Sequence, residues 1–115
     1  MTHAVTVLAD HKGYVGPRAV GDEYFVDANI NITTYTDGGE VITAAELGLT
    51  SVTAAVITGC EVASDVALNR FVVELSAAGA YESSPSFALV ATIASSGGEP
   101  TGDLGFVRVR VYGNL

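Results

Sequence analysis

The sequence predicts an all-β fold, namely a compact antiparallel β-sandwich or small barrel with one short helical turn near residues 43–48. Three observations lead to this prediction: strict alternation of apolar and polar residues in several segments, regularly spaced turn residues, and no long run of helical periodicity. Many short strands separated by turns are typical of sandwiches and barrels. With 115 residues, the chain fits one domain whose core needs no metal or disulfide.

The N-terminal segment, residues 1–21, is predicted to form an N-terminal strand followed by an extended arm. Alternating valines begin the segment, and glycines and a proline in its second half favour a loop. Two of the five basic residues of the chain, Lys12 and Arg18, fall in this part. We expect residues 22–115 to form a single β domain, with a long flexible loop at residues 95–103.

The first long strand is predicted over residues 23–36, where apolar and polar residues alternate. Period-two alternation indicates a strand with one buried and one solvated face. Strands average about 5–6 residues, so we expect a bend or bulge in a strand of this length. The buried face is predicted to hold Tyr24, Val26, Ala28, Ile30 and Ile32, and the solvated face Phe25, Asp27, Asn29, Asn31 and Thr33.

A tight turn and a single helical turn follow that strand. Gly38 and Gly39 tolerate the positive φ that a tight turn requires. Thr43 and Glu46 have the spacing of a capping box, and Gly48 is placed to end the helix after one turn. Further strands are predicted over 51–62, 66–75, 87–94 and 104–112.

The chain is strongly acidic, with 13 acidic residues, 5 basic residues and a formal net charge of −8. Phosphate backbones and anionic lipid surfaces repel such a protein, so we expect neither a nucleic acid nor a membrane as its partner. No apolar run approaches the roughly 20 residues of a membrane-spanning helix. The N-terminus also lacks the pattern of a secretory signal, so we expect synthesis in a cytoplasm.

No constellation for catalysis is visible, so we predict that the chain is not an enzyme and uses no cofactor. Both histidines, His3 and His11, lie near the N-terminus, and no nucleophile motif accompanies them. Cys60 follows several apolar residues and is predicted to be a buried, inert thiol. The Asp-x-Asn-x-Asn segment that starts at Asp27 lacks the glycine and glutamate that complete a calcium loop. We therefore expect no metal site.

The last predicted strand carries the best candidates for an interaction surface. Arginine, tyrosine and phenylalanine are enriched at protein interfaces, and they share one face of this strand. The alternative is that the arginines pair with an acidic residue on a neighbouring strand and only support the sheet. Together with residues of the arm, the candidate interface residues are Lys12, Tyr14, Arg18, Phe106, Arg108, Arg110 and Tyr112.

One block of the sequence resembles a pattern found in small tailed-bacteriophage virion proteins of the capsid cement or decoration type, also called head auxiliary proteins. A valine-aspartate strand at residues 26–27 leads to Tyr-Thr-Asp-Gly-Gly-Glu at residues 35–40 and then to Leu-Gly-Leu at residues 47–49. The Gly-Pro-Arg of residues 16–18 and the valine-arginine strand of residues 107–111 are similar to the ends of such proteins.

This resemblance implies a non-enzymatic structural protein that binds and stabilises the phage capsid shell. The implied partner is the major capsid protein, with self-association as a trimer or dimer on the shell. The implied location is the capsid surface of the virion, after synthesis in the host cytoplasm. The alternative is a phage tail or fibre protein or a carbohydrate-binding β-sandwich module. A carbohydrate site favours exposed aromatic platforms, and the chain contains no tryptophan.

Overall fold

The computed structural model describes residues 3–60, 69–75, 84–93, 97–98, 100 and 102–115. Within these residues, the chain forms two antiparallel sheets that enclose one apolar core, with a single 3-10 turn between two of the strands. The predicted all-β sandwich with one short helical turn is therefore confirmed. The parts of the predicted segments 51–62, 66–75 and 95–103 that are missing from these ranges lie outside the described residues.

The strands follow the order of the chain. They are β1 (His3–Val7), β2 (Arg18–Val20), β3 (Glu23–Ile32), β4 (Glu40–Thr43), β5 (Ser51–Cys60), β6 (Asn69–Leu75), β7 (Ser86–Ile93) and β8 (Gly105–Asn114). The large sheet has the order β1-β3-β8-β5, and β2 pairs with the same edge of β3 as β1 does. The small sheet has the order β4-β7-β6. The C-terminal strand β8 thus lies between two strands that precede it by many residues.

The core lies between the two sheets and follows directly from the alternation. Residues of one parity on β3 and β8 turn inward, and those from Val26 to Ile32 and from Val107 to Val111 are fully buried. Apolar residues from the small sheet meet them from the other side. The buried side chains include Val26, Ala28, Ile30, Ile32, Val107, Val109 and Val111 from the large sheet and Ile42, Phe87, Leu89 and Ala91 from the small sheet.

The described part of the N-terminal segment lies along the edge of β3. All five residues of β1 pair with β3, and Val5 and Val7 pack against the core. The loop that joins β1 to β2 is held by the carboxylate of Asp10, which accepts hydrogen bonds from the backbone N–H of Lys12 at 2.8 Å and of Tyr14 at 2.9 Å. The hydrogen bond from Tyr14 is the main reason that the pKa of Asp10 lies below its ordinary value.

The predicted N-cap forms at Thr43, and the Glu46 carboxylate accepts a hydrogen bond from the Thr43 hydroxyl rather than from its backbone N–H. The Thr43 hydroxyl accepts the backbone N–H of Glu46, and Gly48 ends the turn with φ 79°. This left-handed conformation favours glycine. The turn directs Leu47 and Leu49 into the core. Among the described residues, no helix has the length and apolar character needed to cross a membrane.

Three local expectations are wrong. The first long strand ends at Ile32, and its pairing with β8 runs without a bulge; the register shifts fall in β5 instead. Cys60 is exposed, because the last three residues of β5 all reach solvent despite their apolar neighbours in sequence. Asp27 is buried rather than solvated, because two arginines cover it on the outside of the large sheet.

Candidate functional site

The outer face of the large sheet is the side of β3, β8 and β5 that points away from the core. Because the valines of β8 turn inward, the other residues of that strand must point outward. This alternation gathers four of the seven candidate interface residues on one face. They are Phe106, Arg108, Arg110 and Tyr112.

A single carboxylate joins three strands on this face. Asp27 of β3 lies directly opposite Arg110 of β8 in the strand register. Its Oδ1 accepts a hydrogen bond from Arg110 Nε at 2.8 Å, and its Oδ2 accepts one from Arg110 Nη2 at 2.9 Å. The same Oδ2 also accepts a hydrogen bond from Arg18 of β2 at 3.0 Å. For Arg110, the predicted alternative of cross-strand pairing with an acidic residue is therefore realised.

An aromatic ring lies against both guanidinium groups. The central carbon of the Arg18 guanidinium lies 4.4 Å from the centre of the Phe25 ring, and that of Arg110 lies 4.6 Å from it. Such cation–π contacts add attraction to the ion pairs. The ring of Tyr112 lies 6.2 Å from that of Phe25, centre to centre. Together with Asp27, these residues form what we call the arginine clamp: Arg18, Phe25, Asp27, Arg110 and Tyr112.

The charges in the arginine clamp favour the ionised forms of Asp27 and Arg110. The hydrogen bonds from Arg110 hold the pKa of Asp27 below its ordinary value, against the opposing effect of burial. The charges of Arg18 and Arg108 lower it further. The pKa of Arg110 is raised in turn by the Asp27 carboxylate. Two guanidinium groups share one carboxylate, so the clamp carries a net positive charge in an acidic chain.

Beside the clamp, the outer face exposes apolar groups and one further arginine. Phe106 of β8 is 45% exposed and Val56 of β5 is 51% exposed. Val56 pairs with Arg110 in the register, which places it diagonally from Arg108. The Arg108 side chain is exposed and makes no ion pair with any residue that the structure describes. We call Val56, Phe106 and Arg108 the outer patch.

The structure separates the candidate interface residues into two places. Arg18, Arg110 and Tyr112 come together in the clamp, and Phe106 and Arg108 continue the same face along β8. Lys12 and Tyr14 lie in the loop between β1 and β2, where the Tyr14 hydroxyl donates to the Pro17 carbonyl at 3.2 Å. Within the described ranges, neither of these two residues forms an ion pair or ring contact with the outer face.

Three participants on this face were not among the predicted site residues, namely Phe25, Asp27 and Val56. The alternation in residues 23–32 did place Phe25 and Asp27 on one face of a strand. A signal for the ion pair was also present, because an acidic residue on one alternating strand and arginines on another can pair when the strands are neighbours. That β3 and β8 are neighbours is not readable from local patterns.

The outer face combines a carboxylate whose hydrogen bonds are already made with exposed groups that a partner could contact. The Asp27 carboxylate is occupied by two arginines and is held ionised. In the part of the chain that the structure describes, no three histidine, cysteine, aspartate or glutamate residues are grouped so that they could hold a metal ion. An exposed aromatic ring, an apolar side chain and an unpaired guanidinium suit contact with an apolar surface that carries acidic groups.

No protein-family model matches this chain, and no curated protein or solved structure matches it significantly. What the outer face does must therefore be inferred from its geometry, together with the resemblance carried by residues 35–49. In the structure, that block forms the connection from β3 to β5 and supplies buried core residues such as Ile42 and Leu47. Its side chains specify the fold, whereas the outer face holds the groups available to a partner.

Proposed function

We propose that this chain is a non-enzymatic virion structural protein that binds and stabilises a bacteriophage capsid shell, as a cement or decoration protein. Its proposed partners are the major capsid protein and further copies of itself, and its proposed location is the capsid surface. The observation that carries the proposal is the outer patch. There, Phe106 and Arg108 are exposed side by side on a rigid strand at the centre of a sheet.

The composition of the outer patch supports a protein partner. Aromatic residues and arginine supply much of the binding energy at protein interfaces, especially where they are held in place before binding. The arginine clamp next to the patch fixes β8 to β3 and β2 through Asp27. A partner therefore meets a strand whose backbone is already fixed, so that only side chains such as Arg108 must be ordered when it binds.

The charge distribution supports the same kind of partner. The chain carries a net charge of −8, but the outer face collects arginines. An acidic surface on a shell subunit would be attracted to this face and repelled by the rest of the molecule, which would orient the chain as it approaches. A shell offers many equivalent sites, so each individual contact can be modest.

The location of the chain in purified virions is the first test. Imaging at a resolution that shows side chains should place the chain on the shell, with the outer face of the large sheet toward the major capsid protein. A position in the tail or in a fibre would contradict the cement proposal and would support the alternative virion role. A position on the shell with the outer face toward solvent would contradict the proposed contact surface.

The outer patch can be tested by measuring binding to capsid shells from which the chain has been removed. We expect Phe106→Ala and Arg108→Glu each to weaken binding about tenfold or more, because central aromatic and arginine residues are typical hot spots. Val41→Ala is the matched control, since Val41 is 52% exposed on the small sheet and should leave binding unchanged. Equal binding by the wild-type chain and both outer-patch variants would rule out this surface.

A further inference from the structure

The edge strand β6 of the small sheet lacks a second neighbour among the described residues. Its seven residues pair with β7 in an unbroken register. In the part of the chain that the structure describes, no strand pairs with its other edge. The backbone N–H and C=O groups along that edge have no strand partner among the described residues, and an edge of this kind is a template for another strand.

The other described edges are distorted, interrupted or short, whereas β6 pairs in an unbroken register over seven residues. Two register shifts distort β5, and a bulge is one of the usual ways to protect an edge. The edge formed by β1 and β2 is interrupted by their connecting loop, and β4 is only four residues long. The sequence of β6, Asn-Arg-Phe-Val-Val-Glu-Leu, contains no proline, glycine or lysine.

The exposed face of β6 is complementary to itself. Arg70, Val72 and Glu74 alternate along this face, and Val72 is 58% exposed at the middle of the strand. No ion pair joins Arg70 or Glu74 to another described residue. If a second copy lies antiparallel around a two-fold axis at Val72, the two valines face each other. Arg70 of each copy then faces Glu74 of the other, so two opposite-charge pairs form.

The inward face of β6 fits the same arrangement. Phe71 and Val73 are half-buried and pack against the core. In the register centred on Val72, Phe71 of each copy lies opposite Val73 of the other. Aromatic and β-branched side chains directly opposite each other are favourable cross-strand pairs. In this register, the side chains on both faces of β6 therefore meet favourable partners.

Only the register centred on Val72 places Arg70 of each copy opposite Glu74 of the other. In a two-fold antiparallel pair, residues that face each other lie on the same side of the sheet, so the register can change only in steps of two residues. A shift by one step in either direction places Val72 opposite Arg70 or Glu74. A further step places Arg70 opposite itself or Glu74 opposite itself, which is repulsive. The charges on β6 thus specify a single pairing.

We propose that two copies of this chain associate through β6, around a two-fold axis at Val72. The two three-stranded sheets would join into one six-stranded sheet, with the order β4-β7-β6-β6-β7-β4. Such an isologous interface is the commonest kind in soluble oligomers. The proposal names the surface for self-association and does not depend on capsid binding, because it uses the small sheet. The outer patch of each copy remains available.

Charge reversal tests the pairing in the isolated chain by sedimentation over about 1–500 μM. Arg70→Glu and Glu74→Arg each place like charges opposite each other twice, so we expect each to weaken the dimer about tenfold or more. The double variant with both changes restores opposite charges and should dimerise like the wild type. Asp22→Arg is the matched charge-reversal control, and because Asp22 is exposed between β2 and β3 of the large sheet, it should leave the dimer unchanged.

Cross-linking tests the register. Val72→Cys, in a background with Cys60→Ser to remove the exposed native thiol, would place two thiols directly opposite each other, with about 5 Å between their Cβ atoms. Mild oxidation or a short bismaleimide should then give a covalent dimer, the second reagent being included because a disulfide needs about 3.5–4.5 Å between Cβ atoms. Val41→Cys has similar exposure in the same sheet and should give none, because β4 does not meet its copy. Circular dichroism of each variant checks that the fold is retained.

Several outcomes would overturn the proposal. A wild-type chain that stays monomeric to about 500 μM excludes the dimer. A dimer that the single charge reversals leave unchanged, or that the double variant fails to restore, uses another surface. Failure of Val72→Cys to cross-link excludes the register. Each of these results leaves capsid binding untouched, and loss of shell binding in the outer-patch variants would not affect the dimer.

Discussion

At the scale of single residues, the Asp27 carboxylate joins three strands of the large sheet. It lies on β3 and accepts hydrogen bonds from Arg18 on β2 and Arg110 on β8. Hydrogen bonds to charged groups contribute about 1.5–3 kcal/mol. Arg110 is 42% exposed, and solvent screening reduces the strength of exposed pairs. We therefore expect a net contribution near the lower end of that range.

Asp27→Asn should lower the free energy of unfolding by about 1–2 kcal/mol at neutral pH. The pKa of Asp27 is lowered in the folded state from an ordinary value of 3.8. The ionised carboxylate therefore stabilises the fold above that value, and this contribution is lost as the pH falls through the folded-state pKa. The difference between wild type and variant should shrink below about pH 4, as measured by chemical denaturation across the pH range.

Asp22→Asn is the control for this prediction. Asp22 is exposed, so replacing its carboxylate should change stability by less than about 0.5 kcal/mol at every pH. If Asp27→Asn lowers stability equally at neutral and acidic pH, the ionised carboxylate is not what holds the three strands together.

At the scale of strands, the pairing of β8 with β5 depends on a glycine. A Cβ atom at Gly113 would overlap the Ser51 carbonyl oxygen, so no side chain fits at this position. The backbones approach this closely next to the first register shift of β5, between Val52 and Ala54. The carbonyl belongs to the backbone, so it cannot move aside without separating the strands.

Gly113→Ala should therefore destabilise the protein by about 3 kcal/mol, within the range for overpacked sites. Gly59→Ala is the matched control on β5, since a Cβ atom there meets nothing within 4 Å. We expect that change to alter stability by less than about 1 kcal/mol, because glycine and alanine then differ mainly in the unfolded chain. Equal melting temperatures for the two variants would show that β5 and β8 can shift without cost.

At the scale of the whole molecule, the basic residues are unevenly distributed. The chain has five lysine and arginine residues against 13 acidic ones. Three of the five, Arg18, Arg108 and Arg110, lie on the outer face of the large sheet. A protein partner with acidic groups can use this local concentration, whereas a long polyanion also meets the negative remainder of the surface.

We therefore expect no binding of duplex DNA up to about 100 μM protein at about 50 mM salt. Fluorescence anisotropy of a labelled duplex would measure it. The physical reason is that the net charge of −8 opposes counterion release, which drives non-specific binding of basic proteins to DNA. Saturable binding that weakens with salt and with Arg108→Glu would contradict this expectation and assign the outer face to phosphate recognition.

Local patterns predicted the parts of the fold that local physics determines. Alternation of side chains along a strand is a property of the backbone, so the burial of Val107, Val109 and Val111 could be predicted without knowing any neighbour. The capped turn at Thr43 and Gly48 depends on a few adjacent residues and was also predictable.

Properties that depend on distant residues could not be predicted in the same way. Asp27 was expected to be solvated because nothing near it in sequence covers it. Cys60 was expected to be buried because its preceding residues are apolar, but the end of β5 reaches solvent on both sides. For the same reason, Arg18 and Arg110 could each be proposed as a site residue, although their meeting at one carboxylate depends on the order of strands.

The central position of β8 in the large sheet has a consequence for how the protein folds during synthesis. Asp27 and Arg110 pair directly although 83 positions separate them in the chain. A nascent chain that lacks residues 105–114 can form neither the middle of the large sheet nor one wall of the core. Until the ribosome releases those residues, β3 and β5 are left without their shared neighbour and expose apolar side chains. Folding of the large sheet should therefore wait until β8 is available and be slow, as is usual for non-local β pairing.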